Sequence, residues 1–160
     1  TDMGGEPNRA PPDWSRGRDV MVGDMFLGLY QPSPETTEYW RALGRRELLL
    51  KRCAACGATH HPRRMLCSRC TSTDLGWVPA KGRGTVYSFS EVHRAPSPAY
   101  AASVPYTLGL IELEEGVHFF CRILSEDGGR IAVGAAAALD FRVLEAGYLL
   151  PVFVVGGKVA

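Results

Sequence analysis

Four of the five cysteines lie within eighteen residues, as two Cys-x-x-Cys pairs: Cys53 with Cys56, and Cys67 with Cys70. One such pair can place two thiolates about 2.3 Å from a zinc ion, and two pairs complete a tetrahedral site. Ten residues separate the pairs, which leaves room for one strand to depart from the first turn and another to return. Because all four ligands would come from the protein, the spacing predicts a structural zinc site with no open position for catalysis.

The alternative for these four cysteines is a pair of disulfide bonds. Disulfides are typical of secreted proteins, and the sequence shows no secretory signal peptide, so zinc is the favoured interpretation. Gly57, directly after the first pair, supplies the tight turn that a zinc knuckle needs. His60 and His61 lie between the pairs. With four cysteines available, we expect these histidines to be strand residues rather than ligands.

The charges are distributed unevenly, although the formal net charge is only +1. Residues 41–83 contain ten Lys and Arg against two Asp and Glu, whereas the counts are three against seven before them and five against eight after them. A basic middle predicts an anionic partner. The alternative is compensation for the four thiolates, which leave a formal charge of −2 on a bound zinc ion. The arginines close to the cysteines are Arg52, Arg63, Arg64 and Arg69.

Cys121 lies apart from the other cysteines, in an apolar run over residues 117–124. A lone cysteine in such a run is usually a small core residue. A cysteine nucleophile would need a histidine base close in space, and His93 and His118 are the candidates. Nothing in the sequence brings either histidine to the thiol, so we expect Cys121 to belong to the core.

Length and composition limit the class of protein. The 160 residues suffice for one ordinary domain or two very small ones, and 46% hydrophobic with 22% charged residues excludes a chain that is disordered throughout. There is no run of eighteen apolar residues, so we expect no membrane span and a cytoplasmic protein. The sequence begins at Thr1 rather than Met, which suggests that it was trimmed or cut from a longer polypeptide.

The N-terminal stretch is expected to lie outside the folded core. Residues 1–32 are predicted to be an extended arm, because their first part is rich in Gly, Pro and charge. Their last part, residues 20–30, is too apolar for a free tail. We therefore expect this segment to dock, either on this chain or on a partner.

Residues 33–80 are predicted to form a helix and the zinc ribbon. Ser33, with a proline and an acidic residue directly after it, has the features of a helix N-cap, and Gly44 is expected to end the helix. Short strands are predicted at 47–52, before the first knuckle, and at 75–78, after the second. The apolar face of the helix comprises Tyr39, Trp40 and Leu43.

Residues 81–160 are predicted to be all β, after a turn at Gly82–Gly84. Five short strands without a long helix favour a small closed barrel, and five is the strand count of an OB-fold. Pro151 predicts an edge or a bulge in the last strand. The connection over 93–105 is long for a compact barrel, which is typical of a functional loop. The five predicted strands cover residues 85–92, 106–113, 117–124, 139–143 and 149–155.

The order of these elements, and several short motifs within them, resemble a known protein family. The motifs are Tyr39-Trp40 before the ribbon, Cys-x-x-Cys-Gly at the first knuckle, Gly82-Arg83-Gly84-Thr85 before the barrel, Val104-Pro105-Tyr106, and Ile131-Ala132-Val133-Gly134. They resemble the zinc-ribbon and OB-fold proteins first catalogued as a domain of unknown function and later called acyl-CoA-associated. The resemblance covers roughly residues 33–155.

This resemblance implies a mostly β fold: an N-terminal helix, a rubredoxin-like zinc ribbon and a five-stranded OB-fold barrel. It also implies a thiolase-like partner, because family members are small subunits that pair with thiolase-superfamily proteins acting on acyl-CoA thioesters. Among these partners are lipid-transfer-protein-like aldolases of steroid side-chain degradation. In some family members, the zinc-ribbon and OB-fold domain is fused behind a hydratase domain. A two-plus-two heterotetramer is the assembly expected for a dimeric partner.

The predicted function is therefore a required, non-catalytic subunit of an acyl-CoA aldolase or thiolase, since no complete catalytic set is visible on this chain. The most specific form of the prediction is a retro-aldolase, a lyase acting on steroid or other lipid side chains as acyl-CoA. Arg63, Arg64, His93 and Arg94 are candidate contacts for the CoA phosphates. The alternative is a nucleic-acid-binding module, because zinc ribbons and OB-folds both bind nucleic acids. The acidic barrel half weighs against it.

Overall fold

The structure, a computed structural model, describes residues 33–96, 98–126, 128–144 and 149–156. The predicted extended arm, with its apolar segment 20–30, lies outside these ranges. The described chain begins with a helix, continues through a three-stranded sheet that carries the cysteines, and ends in a five-stranded barrel.

The helix begins where the sequence predicts. Ser33 has an extended backbone, its N–H donates to Thr36 Oγ1 over 2.9 Å, and a 3₁₀ turn (Pro34–Thr36) leads into α1 (Thr37–Gly44). Leu43 is buried, and Tyr39 and Trp40 pack beside it against the core. None of the described helices is long and apolar enough to cross a membrane.

α1 ends at Gly44, as predicted, but the left-handed residue that follows the helix is not the glycine. Gly44 stays helical, and the chain reverses two residues later at Arg46, which has a φ of 60°. The Arg46 N–H donates to Leu43 O, and the Glu47 N–H donates to Ala42 O, both over 2.9 Å. The hydrogen bonds that close the helix are therefore available without a glycine at the left-handed position.

The ribbon sheet consists of β1 (Leu49–Cys53), β2 (Thr59–His60) and β3 (Leu75–Pro79), in the order β2-β1-β3 and antiparallel throughout. Both strands predicted for the ribbon are present, as β1 and β3. The central strand β1 ends at Cys53, the first of the four predicted metal ligands, so the sheet fixes where the first knuckle starts.

The barrel consists of β4 (Arg83–Val92), β5 (Tyr106–Leu113), β6 (His118–Ser125), β7 (Ala136–Val143) and β8 (Leu149–Val155). The strands close in the order β4-β5-β6-β8-β7, and β7 pairs back with β4. Only the β6–β8 pair is parallel among the described pairs. This closed five-stranded barrel confirms the predicted OB-like fold.

Two details of the barrel correct the sequence prediction. β7 begins at Ala136, three residues before the predicted strand, because a run of alanines shows no alternation between apolar and polar residues. Pro151 does not mark an edge strand, since β8 lies between β6 and β7. Its pairing with β6 starts only at Val152, so the missing N–H of Pro151 precedes that ladder.

One apolar core connects the helix, the ribbon and the barrel. Leu43 and Leu50 belong to the same buried cluster as the barrel residues Ile111 and Phe153. The cluster spans the domain boundary predicted after residue 80, a boundary that stays a prediction. The helix and the ribbon therefore pack against the barrel through this shared core.

Candidate metal centre

The four predicted cysteines come together at one end of the ribbon. Cys53 Sγ lies 3.6 Å from Cys70 Sγ, and Cys56 Sγ lies 3.5 Å from Cys67 Sγ. All four sulfurs are within 4.8 Å of one another. A zinc ion with four sulfurs at 2.3 Å has sulfur–sulfur separations of about 3.8 Å. The donor set therefore fits a tetrahedral zinc ion, and disulfides are absent among the described cysteines.

The first knuckle is shaped by its backbone. The Cys53 N–H donates to Ala58 O, and the Gly57 N–H donates to Cys53 O, both over 2.9 Å. Gly57 has a φ of 71°, the left-handed conformation that a glycine adopts without strain. The turn predicted at Gly57 is confirmed.

The second knuckle repeats these hydrogen bonds at the same spacing. The Cys67 N–H donates to Ser72 O over 2.9 Å, and the Thr71 N–H donates to Cys67 O over 3.0 Å. Thr71 occupies the place of Gly57 and has a φ of 60°, which is strained for a β-branched residue. No sequence signal indicates this left-handed position, because threonine is among the residues that least favour it.

The surroundings of Cys67 favour its thiolate. Burial opposes ionisation, but hydrogen bonds from the backbone N–H groups of Arg69 and Cys70 and from His60 outweigh it, and the pKa of Cys67 is lowered to about 5. The Arg69 N–H lies 3.4 Å from Cys67 Sγ. A thiolate held this way is prepared for metal binding.

His60 supports the site without being a ligand. It lies in β2, is 8% exposed, and places Nε2 3.2 Å from Cys67 Sγ. Since a metal-bound thiolate carries no proton, Nε2–H must be the donor. The sequence correctly predicts a strand residue here, but it does not show this contact. The only hint was that His60 lies between the two cysteine pairs.

His61, the next residue, faces the barrel instead. Its ring stacks on Phe119 at a centroid distance of 5.5 Å. Burial lowers the pKa of His61, and the nearby charges of Arg63 and Arg64 lower it further. A neutral His61 therefore joins the ribbon to the barrel, and the two adjacent histidines have different partners.

The arginines near the cysteines all have exposed side chains. Within the part of the chain that the structure describes, none of their guanidinium groups is hydrogen-bonded to a sulfur or paired with a carboxylate. The hydrogen bonds to the sulfurs come from backbone amides and His60, not from the arginines suggested by the sequence. The four residues are Arg52, Arg63, Arg64 and Arg69.

Comparisons with known proteins agree with this architecture. The model of "ChsH2, rubredoxin-like zinc ribbon domain" matches residues 40–76, and that of "ChsH2, C-terminal OB-fold domain" matches residues 77–142. A DUF35 domain-containing scaffold protein of Methanocaldococcus jannaschii is 32% identical over 105 residues, which are 64% of this chain and 74% of that protein. The chain belongs to the DUF35 family.

Other similar proteins have names that mention acyl-CoA enzymes. A probable enoyl-CoA hydratase alpha subunit of Thermomonospora curvata is 35% identical over 115 residues, which are 72% of this chain and 35% of that subunit. The benzoylsuccinyl-CoA thiolase subunit BbsA of Thauera aromatica is 30% identical over 77 residues, 48% of this chain and 51% of that subunit. A chain of the solved Ltp2-ChsH2(DUF35) aldolase is 32% identical with a TM-score of 0.68, and the match covers 79% of this chain and 100% of that chain.

The DUF35 fold separates the two pairs of residues predicted to contact CoA. Arg63 and Arg64 follow His61, whose ring stacks on Phe119 of β6. Phe119 pairs with Ile111 on β5, which in turn pairs with Val86 on β4. The arginines are therefore connected to β4 near Val86. His93 and Arg94 follow the far end of β4. Six residues separate Val86 from the end of that strand, a distance of roughly 20 Å. The two pairs therefore lie in two separate regions.

At the far end of β4, His93 is 71% exposed and its Nε2 lies 3.4 Å from Glu91 Oε2. Arg94 directly follows it on the surface. The connection to β5 contains a second 3₁₀ turn, Pro98–Tyr100, and the ring of Tyr100 lies 6.2 Å from that of Tyr106.

Cys121 is a core residue of the DUF35 barrel, as predicted. It is 7% exposed and lies in the cluster that fills the barrel. Burial raises the pKa of the Cys121 thiol to about 12. Along β6, buried Phe119 and Cys121 alternate with exposed His118 and Phe120, so His118 lies on the opposite face of the strand. The thiol therefore stays protonated, and His118 does not face it.

Proposed function

We propose that this chain is a non-catalytic partner subunit of a thiolase-superfamily enzyme that cleaves or forms carbon–carbon bonds in acyl-CoA thioesters. The observation that carries the proposal is the match to the Ltp2-ChsH2(DUF35) aldolase, in which one chain is covered completely at 32% identity. The names of the hydratase and thiolase subunits support the same class of substrate, an acyl-CoA.

The more specific proposal is a lipid-transfer-protein-like retro-aldolase that acts on a side-chain acyl-CoA, with steroid side chains as the first substrates to test. The aldolase match favours this reaction over thiolysis, because it covers 100% of the aldolase chain, whereas the thiolase match covers 51% of the BbsA subunit. The acyl group itself would be read by the pocket of the partner subunit.

Catalysis is assigned to the partner because of how this chain uses its reactive groups. Carbon–carbon bond cleavage in a thioester needs a nucleophile or base and a site that stabilises an oxyanion. Four thiols converge on the metal site, and the fifth, Cys121, is buried and protonated. We therefore assign this chain the role of binding the partner subunit rather than carrying out the reaction.

For CoA contact we propose the two basic pairs, Arg63 with Arg64 and His93 with Arg94. Exposed guanidinium groups without a carboxylate partner bind phosphate through charge-assisted hydrogen bonds. Because the pairs lie in separate regions, each is tested separately. Replacing Arg63 and Arg64 with Ala should raise the KM for the CoA substrate about tenfold, with a smaller effect at high salt.

The double variant Arg52→Ala/Arg69→Ala is the matched control for Arg63→Ala/Arg64→Ala. It removes two exposed arginines from the same ribbon, so the net charge changes equally. If both double variants raise KM equally, the effect is long-range electrostatics rather than contact. The variant His93→Ala/Arg94→Ala tests the second region in the same assay.

The assembly is proposed to be a two-plus-two heterotetramer in the cytoplasm, where a reducing environment keeps the zinc thiolates intact. The chain spans about a third of the length of the hydratase alpha subunit that it matches. We therefore also propose that the domain described here is fused to a hydratase domain in the same polypeptide.

The experiment that tests the proposed function uses three samples. The zinc-loaded chain, a thiolase-superfamily protein from the same genome, and the co-expressed pair are assayed for aldol cleavage of an acyl-CoA. We expect the pair to co-purify and to be active, and the chain alone to be inactive. Cleavage by the chain alone, or a failure of the two proteins to associate, would overturn the proposal.

A further inference from the structure

The outer surface of β4, β5 and β6 carries large apolar side chains that the barrel does not bury. Tyr87 is 52% exposed and Phe120 is 60% exposed. On β6, Phe120 lies between two buried neighbours, Phe119 and Cys121, and therefore points outwards. Half-buried Leu110, directly opposite Phe120 on β5, has the same orientation.

Tyr87 extends this surface across three strands. The pairing of β4 with β5 is irregular between Val86 and Ser88, so Tyr87 is the extra residue of a β-bulge. Its ring lies 4.4 Å from the ring of His118 on β6, although β5 lies between the two strands. Tyr87 must therefore cross the outer surface of β5. We call the surface formed by Tyr87, Leu110, His118 and Phe120 the aromatic face.

The aromatic face cannot be withdrawn into the barrel. The inward positions of the same strands are occupied by Val86, Ile111 and Phe119, each at most 3% exposed. Because side chains alternate between the two faces of a strand, moving Phe120 inwards would expose its buried neighbours. The face is a fixed feature of the fold, and contiguous exposed apolar surface of this kind marks an interaction site.

The charges around the aromatic face indicate what it can bind. His118 Nε2 lies 3.9 Å from Glu112 Oε1, and the Arg122 guanidinium is 4.1 Å from the centre of the Tyr106 ring. Within the described barrel, His118 and Arg122 on this surface thus already have partners. A nucleic acid needs cations for its phosphates as well as stacking aromatics. Within the described residues, exposed arginines without a carboxylate partner lie on the ribbon and just after the far end of β4 instead. This face is therefore complementary to an apolar protein surface.

We infer that the aromatic face is the docking surface for an apolar, uncharged patch on the thiolase-superfamily subunit. This inference rests on the proposed function, because it takes the partner from there. Phe120 is the central anchor, since it is the most exposed aromatic residue of the face, and Tyr87 covers one side of it. Large aromatic residues at the centre of an interface contribute most of its binding free energy.

The test measures the dissociation constant between the purified chain and the purified thiolase-superfamily subunit by titration calorimetry. Phe120→Ser should raise the dissociation constant at least about 30-fold, and Tyr87→Ser about tenfold. Val143→Ser is the matched control, because Val143 is 60% exposed but lies on β7. It should change the dissociation constant less than about twofold. Zinc content and circular dichroism verify that each variant is folded.

Each outcome separates the inference from the proposed function. If the wild-type chain binds and Phe120→Ser binds equally well, the aromatic face is not the docking surface and the proposed function stands. If the wild-type chain does not bind the subunit, both fail. A chain that is dimeric by light scattering and becomes monomeric on Phe120→Ser would assign the face to a second copy. Binding of an oligothymidine that Phe120→Ser abolishes would assign it to nucleic acid. Either result overturns the inference.

Discussion

Replacing His60 with phenylalanine tests how the ribbon stabilises its thiolates. His60 is buried and donates Nε2–H to Cys67 Sγ over 3.2 Å. Phenylalanine keeps a ring of similar size in β2 but has no donor. The sulfur would keep its backbone donors at Arg69 and Cys70 and lose only the histidine. The site should therefore bind zinc more weakly without losing it.

The expected size of the effect follows from the number of donors. Apart from Cys56 Sγ, which is itself a predicted metal ligand, Cys67 Sγ has three donors, and His60 is the only side chain among them. Loss of an outer partner of a metal ligand typically lowers metal affinity about 10- to 100-fold. We expect His60→Phe to raise the zinc dissociation constant within that range.

The assay is competition for zinc with a chromogenic chelator, and His61→Phe is the matched control. His61 is adjacent in sequence, but it stacks on Phe119 and does not contact a sulfur, and phenylalanine can keep that stacking. His61→Phe should bind zinc within about threefold of the wild-type protein. Wild-type affinity in His60→Phe, or an equal loss in both variants, would show that the histidine-to-sulfur hydrogen bond does not support the site.

Three further predictions concern stability. Cys53→Ser should unfold the ribbon, because folding of small zinc domains depends on the metal; zinc analysis with circular dichroism checks this, and a folded, zinc-loaded variant would contradict it. Burial raises the pKa of Cys121 from 9.0 to about 12, so the folded state retains the thiol proton, and the resulting stabilisation is complete below pH 9 and lost as the pH rises towards 12. Between pH 8 and pH 10, urea unfolding should show that the free energy of unfolding falls by about 1 kcal/mol more for the wild-type protein than for Cys121→Ala. Plots of unfolding free energy against pH that are parallel for the two proteins would refute this prediction. Gly109→Ala should cost about 3 kcal/mol, because the added Cβ would lie against Ser88 O and 2.6 Å from Ile123 Cδ1; a loss below about 1 kcal/mol would be inconsistent with this packing.

The metal centre was largely predictable, because its chemistry depends on local spacing. Two Cys-x-x-Cys pairs can be recognised without any knowledge of tertiary structure. The left-handed Thr71 could not be predicted, since its conformation belongs to the hydrogen-bonded turn of the second knuckle and opposes the preference of threonine. The hydrogen bond from His60 to Cys67 was also invisible, because it depends on how β2 faces the second knuckle.

The barrel was predictable where polar and apolar residues alternate. β5 and β8 have the predicted bounds, whereas β7 begins within alanines that carry no such pattern. The bulge at Tyr87 depends on the register between two strands, which single-strand patterns do not encode. For the same reason, the sequence could not show that the two basic pairs proposed for CoA contact lie in two separate regions.

The most direct test of a partner role is a titration of the purified thiolase-superfamily subunit with this chain while aldol cleavage of an acyl-CoA is followed. A non-catalytic subunit should raise the rate in proportion to the amount added and reach a plateau at one chain per partner. At the plateau, native mass spectrometry should find two copies of each. A rate that does not depend on this chain, or that continues to rise in proportion to it beyond one equivalent, would contradict that role.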